Sequence, residues 1–111
     1  MNVEDFKKLC DFERNLKVGD KCLAYWTNSG IYWRAEVKVK AINRKSYQAE
    51  IVGDVVPAGV SGMTYPVGQK LNIPNTLNYD RWTWNNRLAP PQVDHYQEYL
   101  EAGVMPGNLE K

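Results

Sequence analysis

The sequence predicts a mainly β protein: a small, strongly bent β-barrel flanked by a short helix at each end. Three observations carry that expectation. Short runs of alternating apolar and polar side chains are separated by brief polar turns, the pattern of an all-β barrel rather than of alternating strands and helices. The two ends, residues 3–15 and 92–102, space their apolar side chains like helices instead. The length of 111 residues suits one domain with one modest core.

Each element follows in chain order. In VEDFKKLCDFERN, Phe6, Leu9, Cys10 and Phe12 approximate one apolar face, and Glu4 and Asp5 suit the positive end of a helix dipole. A turn at Gly19-Asp20 leads into a first strand from Lys21. There Cys22, Ala24 and Trp26 share one face, and Leu23 and Tyr25 the other. TNSG at 27–30 signals a tight turn, since Asn and Gly tolerate positive φ. The second strand is the clearest. Trp33, Ala35, Val37 and Val39 face one way, and Tyr32, Arg34, Glu36, Lys38 and Lys40 the other, so one side is buried and one is in water. A polar turn at 42–45 precedes a third strand, SYQAEIV at 46–52, which stops at Gly53-Asp54.

Residues 55–76 are rich in Gly and Pro yet carry Val, Met, Tyr, Leu and Ile. They read as a long ordered loop with at most a small hairpin, and long loops in compact domains are often functional. A last strand is expected at Arg81–Trp84, followed by a turn near Asn85-Asn86 and a stop at Pro90-Pro91. QVDHYQEYLEA, at 92–102, is expected to be helical up to Gly103. Three segments result: an N-terminal helix over 1–15, the barrel over 16–91, and a C-terminal helix and tail over 92–111.

Composition narrows the function classes. The chain carries four Trp and seven Tyr against two Phe. Tyr and Trp pair a flat apolar face with a polar edge and are enriched where proteins touch partners. Net charge is +1, with 14 basic and 13 acidic residues, which argues against a general nucleic-acid coat. No apolar run approaches the ~20 residues of a membrane span, and the first residues lack a signal-peptide core, so an intracellular protein without membrane contact is expected. Cys10 and Cys22 fit neither a zinc spacing nor a disulfide framework. The single histidine, His95, falls in the C-terminal helix, where an exposed or capping role is expected. No nucleophile triad, phosphate loop or metal cluster is present in the sequence. The expectation is a protein that is not an enzyme and uses no cofactor.

Two segments resemble one family. LKVGDKCLAYWTNSGIYWRAEV, residues 16–37, resembles the opening two strands of Tudor domains through Val18-Gly19-Asp20-Lys21-Cys22, Ala24, Trp26, Gly30, Trp33 and Ala35. NYDRWTWNNRLAP, residues 78–90, resembles the last strand of chromo-barrels, with Tyr79-Asp80-Arg81-Trp82 followed by Arg87-Leu88. The resemblance implies a five-stranded, SH3-like barrel of the Royal superfamily, here with a long insertion between strands three and four. It further implies a nuclear protein of chromatin complexes that reads methylated lysine or arginine, on a histone or another methylated peptide, through an aromatic cage.

By the same resemblance Trp26, Trp33 and Tyr79 match cage aromatics, Asp80 matches the acid of the motif, and Trp82 matches a tryptophan that packs into the barrel. The chain departs from the pattern in three places. The end of strand three holds Ile51, Val52, Gly53 and Asp54 rather than an aromatic, Arg81 replaces a Glu, and the insertion is longer than usual. Tyr65 within the insertion is a candidate for the missing wall, and Asp54 or Asp80 for the carboxylate. The physical basis is sound: a methylammonium keeps its charge, loses hydration, and is attracted to ring faces by roughly 0.5–2 kcal/mol per contact.

Two other readings come from different classes. One is a degenerate barrel that binds a protein partner through the long loop and the helices, without methyl recognition. The other is weak DNA or RNA contact through Arg34, Lys38 and Lys40 on strand two and Arg44 and Lys45 at the next turn, with Tyr32 and Tyr47 nearby for stacking.

Overall fold

The computed structural model describes residues 2–28, 30–57, 64–75 and 84–104. Five antiparallel strands curl into a half-barrel, with a short helix at either end. The elements are α1 (Val3–Arg14), β1 (Lys21–Asn28), β2 (Ile31–Ile42), β3 (Ser46–Val56), β4 (Lys70–Pro74), β5 (Arg87–Ala89) and α2 (Tyr96–Val104). The sheet order is β4-β3-β2-β1-β5.

The β1–β2 hairpin closes at the predicted tight turn. Asn28 pairs with Ile31, Trp26 with Trp33 and Lys21 with Lys38. Only residues 29 and 30 lie between the strands, and Gly30 takes φ 77°, a conformation that costs glycine little. In β2 the alternation is as expected: Trp33, Ala35, Val37 and Val39 are all 0% exposed. Two register shifts bend the sheet. One lies between Val39 and Ala41; the other lies between Ala35 and Val37, opposite the extra residues Val52–Asp54 of β3. Bulges increase local twist and curl a sheet toward closure. At the second bulge Gly53 lies so close to Glu36 that an added Cβ would meet the Glu36 Oε1 at 3.2 Å.

β3 therefore runs on to Val56 instead of stopping at Gly53-Asp54. The Gly-Asp pair marks a bulge, not an end. The stretch read as a loop over 55–76 holds a whole strand, β4, which pairs with β3 from Ser46–Pro74 to Glu50–Lys70. Residues 81–83 lie outside the described residues, Trp84 leads into the turn, and the strand that joins β1 follows it as Leu23–Ala89 to Tyr25–Arg87. The turn at Asn85-Asn86 stands as expected, with Asn86 at φ 55°, a region Asn tolerates better than most residues.

Two apolar clusters sit on opposite faces of β1. The barrel interior gathers Cys22, Ala24 and Trp26 with Trp33, Val37, Tyr47, Ile51, Ile73 and Leu88. The outer cluster gathers Tyr25 with Leu9, Trp84, Ala89 and Tyr99. Tyr25 and Trp84 are covered by α2. Tyr25 meets Trp84 and Tyr99 edge-on at 5.6 and 5.7 Å. The Trp84 Nε1 donates to Glu98 at 2.8 Å, and Tyr99 and Thr27 share a hydroxyl hydrogen bond of 2.5 Å. Burial pushes the phenols of Tyr25 and Tyr99 up to about 12, because a buried phenolate would lose its hydration.

The helix α1 adds Leu9 to the same outer cluster. Its N-cap is Asn2, whose side chain accepts from the Asp5 backbone N–H at 2.8 Å. Its Leu9 is 3% exposed and its Glu13 5%. Glu13 faces Arg87 of β5 at 3.7 Å and accepts from the Tyr47 hydroxyl at 3.0 Å. These contacts tie α1 to β5 and β3 through one buried carboxylate.

Candidate functional site

Of the predicted cage, the structure brings together Trp26, Trp33 and Tyr65. The two indoles come from paired positions at the hairpin end of β1 and β2, stacked at 6.4 Å with 12° between planes. Tyr65 comes from the connection between β3 and β4. It lies nearly perpendicular to both, 5.1 Å from Trp26 and 4.7 Å from Trp33. Asn28 donates to its hydroxyl through Nδ2. The insertion thus packs a third ring against the two indoles.

Burial decides what these rings can do. Trp33 is 0% exposed and Trp26 5%, so both belong to the barrel interior. The rings pack on one another rather than around an open space. Tyr65 is half-buried and is the member that meets the surface. It lines a hollow of about 380 Å³ with Gly53, Asp54, Val55, Thr64 and Val67. Asp54, at the β3 bulge, is exposed. The bulge therefore brings Asp54 to the lining of the same hollow as Tyr65. A carboxylate beside the face of an aromatic ring can take up a cation. Tyr79 and Asp80, the other predicted members, and Trp82 lie outside the described residues.

The basic row behaves differently from its sequence reading. Arg34 forms an ion pair with Asp94 and lies 5.5 Å over the Tyr96 ring. Lys40 pairs with Glu50 at 3.4 Å. Two of the five cations are thus neutralised by neighbours. Lys38 remains on the outer face of β2, half-buried, and Arg44 and Lys45 sit in the exposed β2–β3 turn. There the carbonyls of Arg44 and Lys45 accept from the side chain and backbone of Asn75. The tyrosines expected nearby for stacking are taken up elsewhere. Tyr47 is 2% exposed inside the barrel, and Tyr32 packs against Tyr99 at 5.1 Å.

His95 takes the capping place at the start of α2, where its carbonyl accepts from the Tyr99 N–H at 2.9 Å. Among the described residues no three His, Cys, Asp or Glu side chains are grouped to hold a metal ion. No helix among them is long and apolar enough to cross a membrane. Sequence reasoning missed Glu13 and Arg87. One signal for Glu13 was available: it stands on the α1 face of Phe6 and Leu9 at the spacing of one helical stripe. Compared with known proteins, the chain matches no family model, no curated protein and no solved structure.

Proposed function

We propose that this chain is a non-catalytic binding module of the Tudor/chromo-barrel kind, which takes the methylated lysine or arginine side chain of a partner peptide at the Tyr65–Asp54 hollow. The observation that carries the reading is the pairing of a surface-reaching tyrosine, backed by two indoles, with an exposed carboxylate in one hollow. Methylation removes hydration from the ammonium but not its charge, so such a site favours the methylated form. Few ring contacts mean weak binding that leans on the flanking peptide. A nuclear, chromatin-linked role goes with this reading.

The burial of Trp26 and Trp33 favours a second reading, in which the barrel binds a protein partner without distinguishing methyl states. NMR titration with methylated and unmethylated histone peptides separates the two. The first expects shifts centred on Tyr65, Asp54 and the two indole N–H groups, larger for the methylated peptide and lost in Tyr65→Ala and Asp54→Asn. Equal shifts with both peptide sets would sink it in favour of the second.

A further inference from the structure

We propose that the cleft between α1 and the segment entering α2 is a second binding site, which receives a tyrosine side chain presented by a partner polypeptide. It shares no lining residue with the Tyr65–Asp54 hollow and does not depend on that site's function. The cleft encloses about 300 Å³, the small end of the range for ligand cavities, which suits a single ring. Leu9 and Trp84 give it a buried apolar floor, and Pro90 and Val93 line it further. Val93 is 55% exposed, an apolar group left at the surface beside the opening.

His95 gives the cleft its polar point. The imidazole lies on the Trp84 ring at 4.3 Å, with 21° between planes. Its Nδ1 stands 3.3 Å from the Glu98 Oε1, while the other Glu98 oxygen accepts from the Trp84 Nε1. A carboxylate only accepts. In the neutral ring the proton therefore sits on Nδ1, and Nε2 is left as an acceptor. No group among the described residues hydrogen-bonds that Nε2. A phenol matches this arrangement, with a flat apolar body and one O–H donor at its far end. A phenyl ring would fill the same space but strip Nε2 of water without replacing the hydrogen bond.

The rim indicates the source of the phenol. Asp5 and Lys8, three residues apart on α1, both line the cleft. Neither is ion-paired among the described residues. They offer one carboxylate and one ammonium to the charges that flank a tyrosine in a polypeptide, a complementarity that a free phenol does not use.

The test is a ¹H–¹⁵N NMR titration of the full chain with three probes: a short peptide with tyrosine between a lysine and a glutamate, its phenylalanine counterpart, and p-cresol. The tyrosine peptide is expected to shift the Trp84 indole, Leu9, Val93 and His95, and to bind about two- to tenfold tighter than the phenylalanine peptide. His95→Phe, which retains a ring on Trp84, should bring that ratio to one. Val93→Glu, a surface change that leaves the fold intact, should abolish binding of both peptides. Equal affinity of the two peptides for the unmodified chain, or no shifts with either, would overturn the site. Binding of p-cresol as tight as that of the tyrosine peptide would overturn its assignment to a partner polypeptide.

Discussion

Glu13 on α1 and Arg87 on β5 face each other at 3.7 Å with side-chain exposures of 2% and 0%. The carboxylate also accepts from Tyr47, and the guanidinium lies 6.0 Å over the Phe6 ring. Charges this deeply buried are stable only with partners. Glu13→Gln keeps the shape and takes the negative charge away from a buried guanidinium. The expected loss is about 3–5 kcal/mol, read from urea unfolding. Glu13→Leu combined with Arg87→Met should recover most of it, because an apolar pair of similar volume avoids the desolvation cost.

The three clustered rings should separate by role. Trp33 is fully buried, and Trp33→Ala should cost about 3–5 kcal/mol of stability. Tyr65 reaches the surface, and Tyr65→Ala should cost about 1–2 kcal/mol, the scale of losing part of a buried side chain. If the two variants were equally unstable in thermal unfolding, Tyr65 would be a core residue and the hollow would lose its ring.

Alkaline pH should destabilise the protein in part through its outer cluster. Tyr25 and Tyr99 are raised by burial from an ordinary 10.0 to about 12. Their folded-state values lie above their unfolded ones. The stability they lend is therefore fully present below pH ~10 and is lost as pH rises toward ~12. Denaturant midpoints measured across that window should fall, and Tyr99→Phe should flatten the fall while lowering stability at neutral pH by about 1 kcal/mol through the lost hydroxyl contacts.

The two thiols should differ in reactivity. Cys22 is 0% exposed, and burial pushes its thiol up to about 12. Cys10 is half-buried, with a smaller rise also led by burial. Only the thiolate reacts. Iodoacetamide at mildly alkaline pH should therefore label Cys10 first in the folded chain, with Cys22 labelled only after denaturation. Intact-mass analysis over time checks this, and early labelling of Cys22 would contradict its place in the barrel.

The parts of the fold legible in the sequence are those where a single periodicity runs unbroken. β2 reads directly because Trp33 through Val39 alternate without exception, and α1 reads because its apolar residues share one stripe. β3 was read short because Gly53-Asp54 looks like a terminator, whereas the pair forms a bulge whose purpose is set by Glu36 across the strand. β4 was hidden because Lys70–Pro74 is brief and lies in a Gly- and Pro-rich stretch, where local composition outweighs pairing. β5 was missed because Arg87 opens it, and a charged residue rarely signals a fully buried strand. At the candidate site, the sequence identified Trp26, Trp33 and Tyr65 as neighbours but carried no measure of how completely the barrel would close over the two indoles.

The two-sided burial of β1 bears on how the chain can be cut. Tyr25 and Trp84 take part of their cover from Tyr96 and Tyr99 of α2. A fragment trimmed at residue 91, just past the last strand, would bare an aromatic sheet face and lose the Asp94 partner of Arg34. Such a fragment would be expected to self-associate in solution. The smallest soluble unit is therefore set by the shared wall of two cores rather than by the last strand of the barrel, and expression boundaries should be drawn beyond α2.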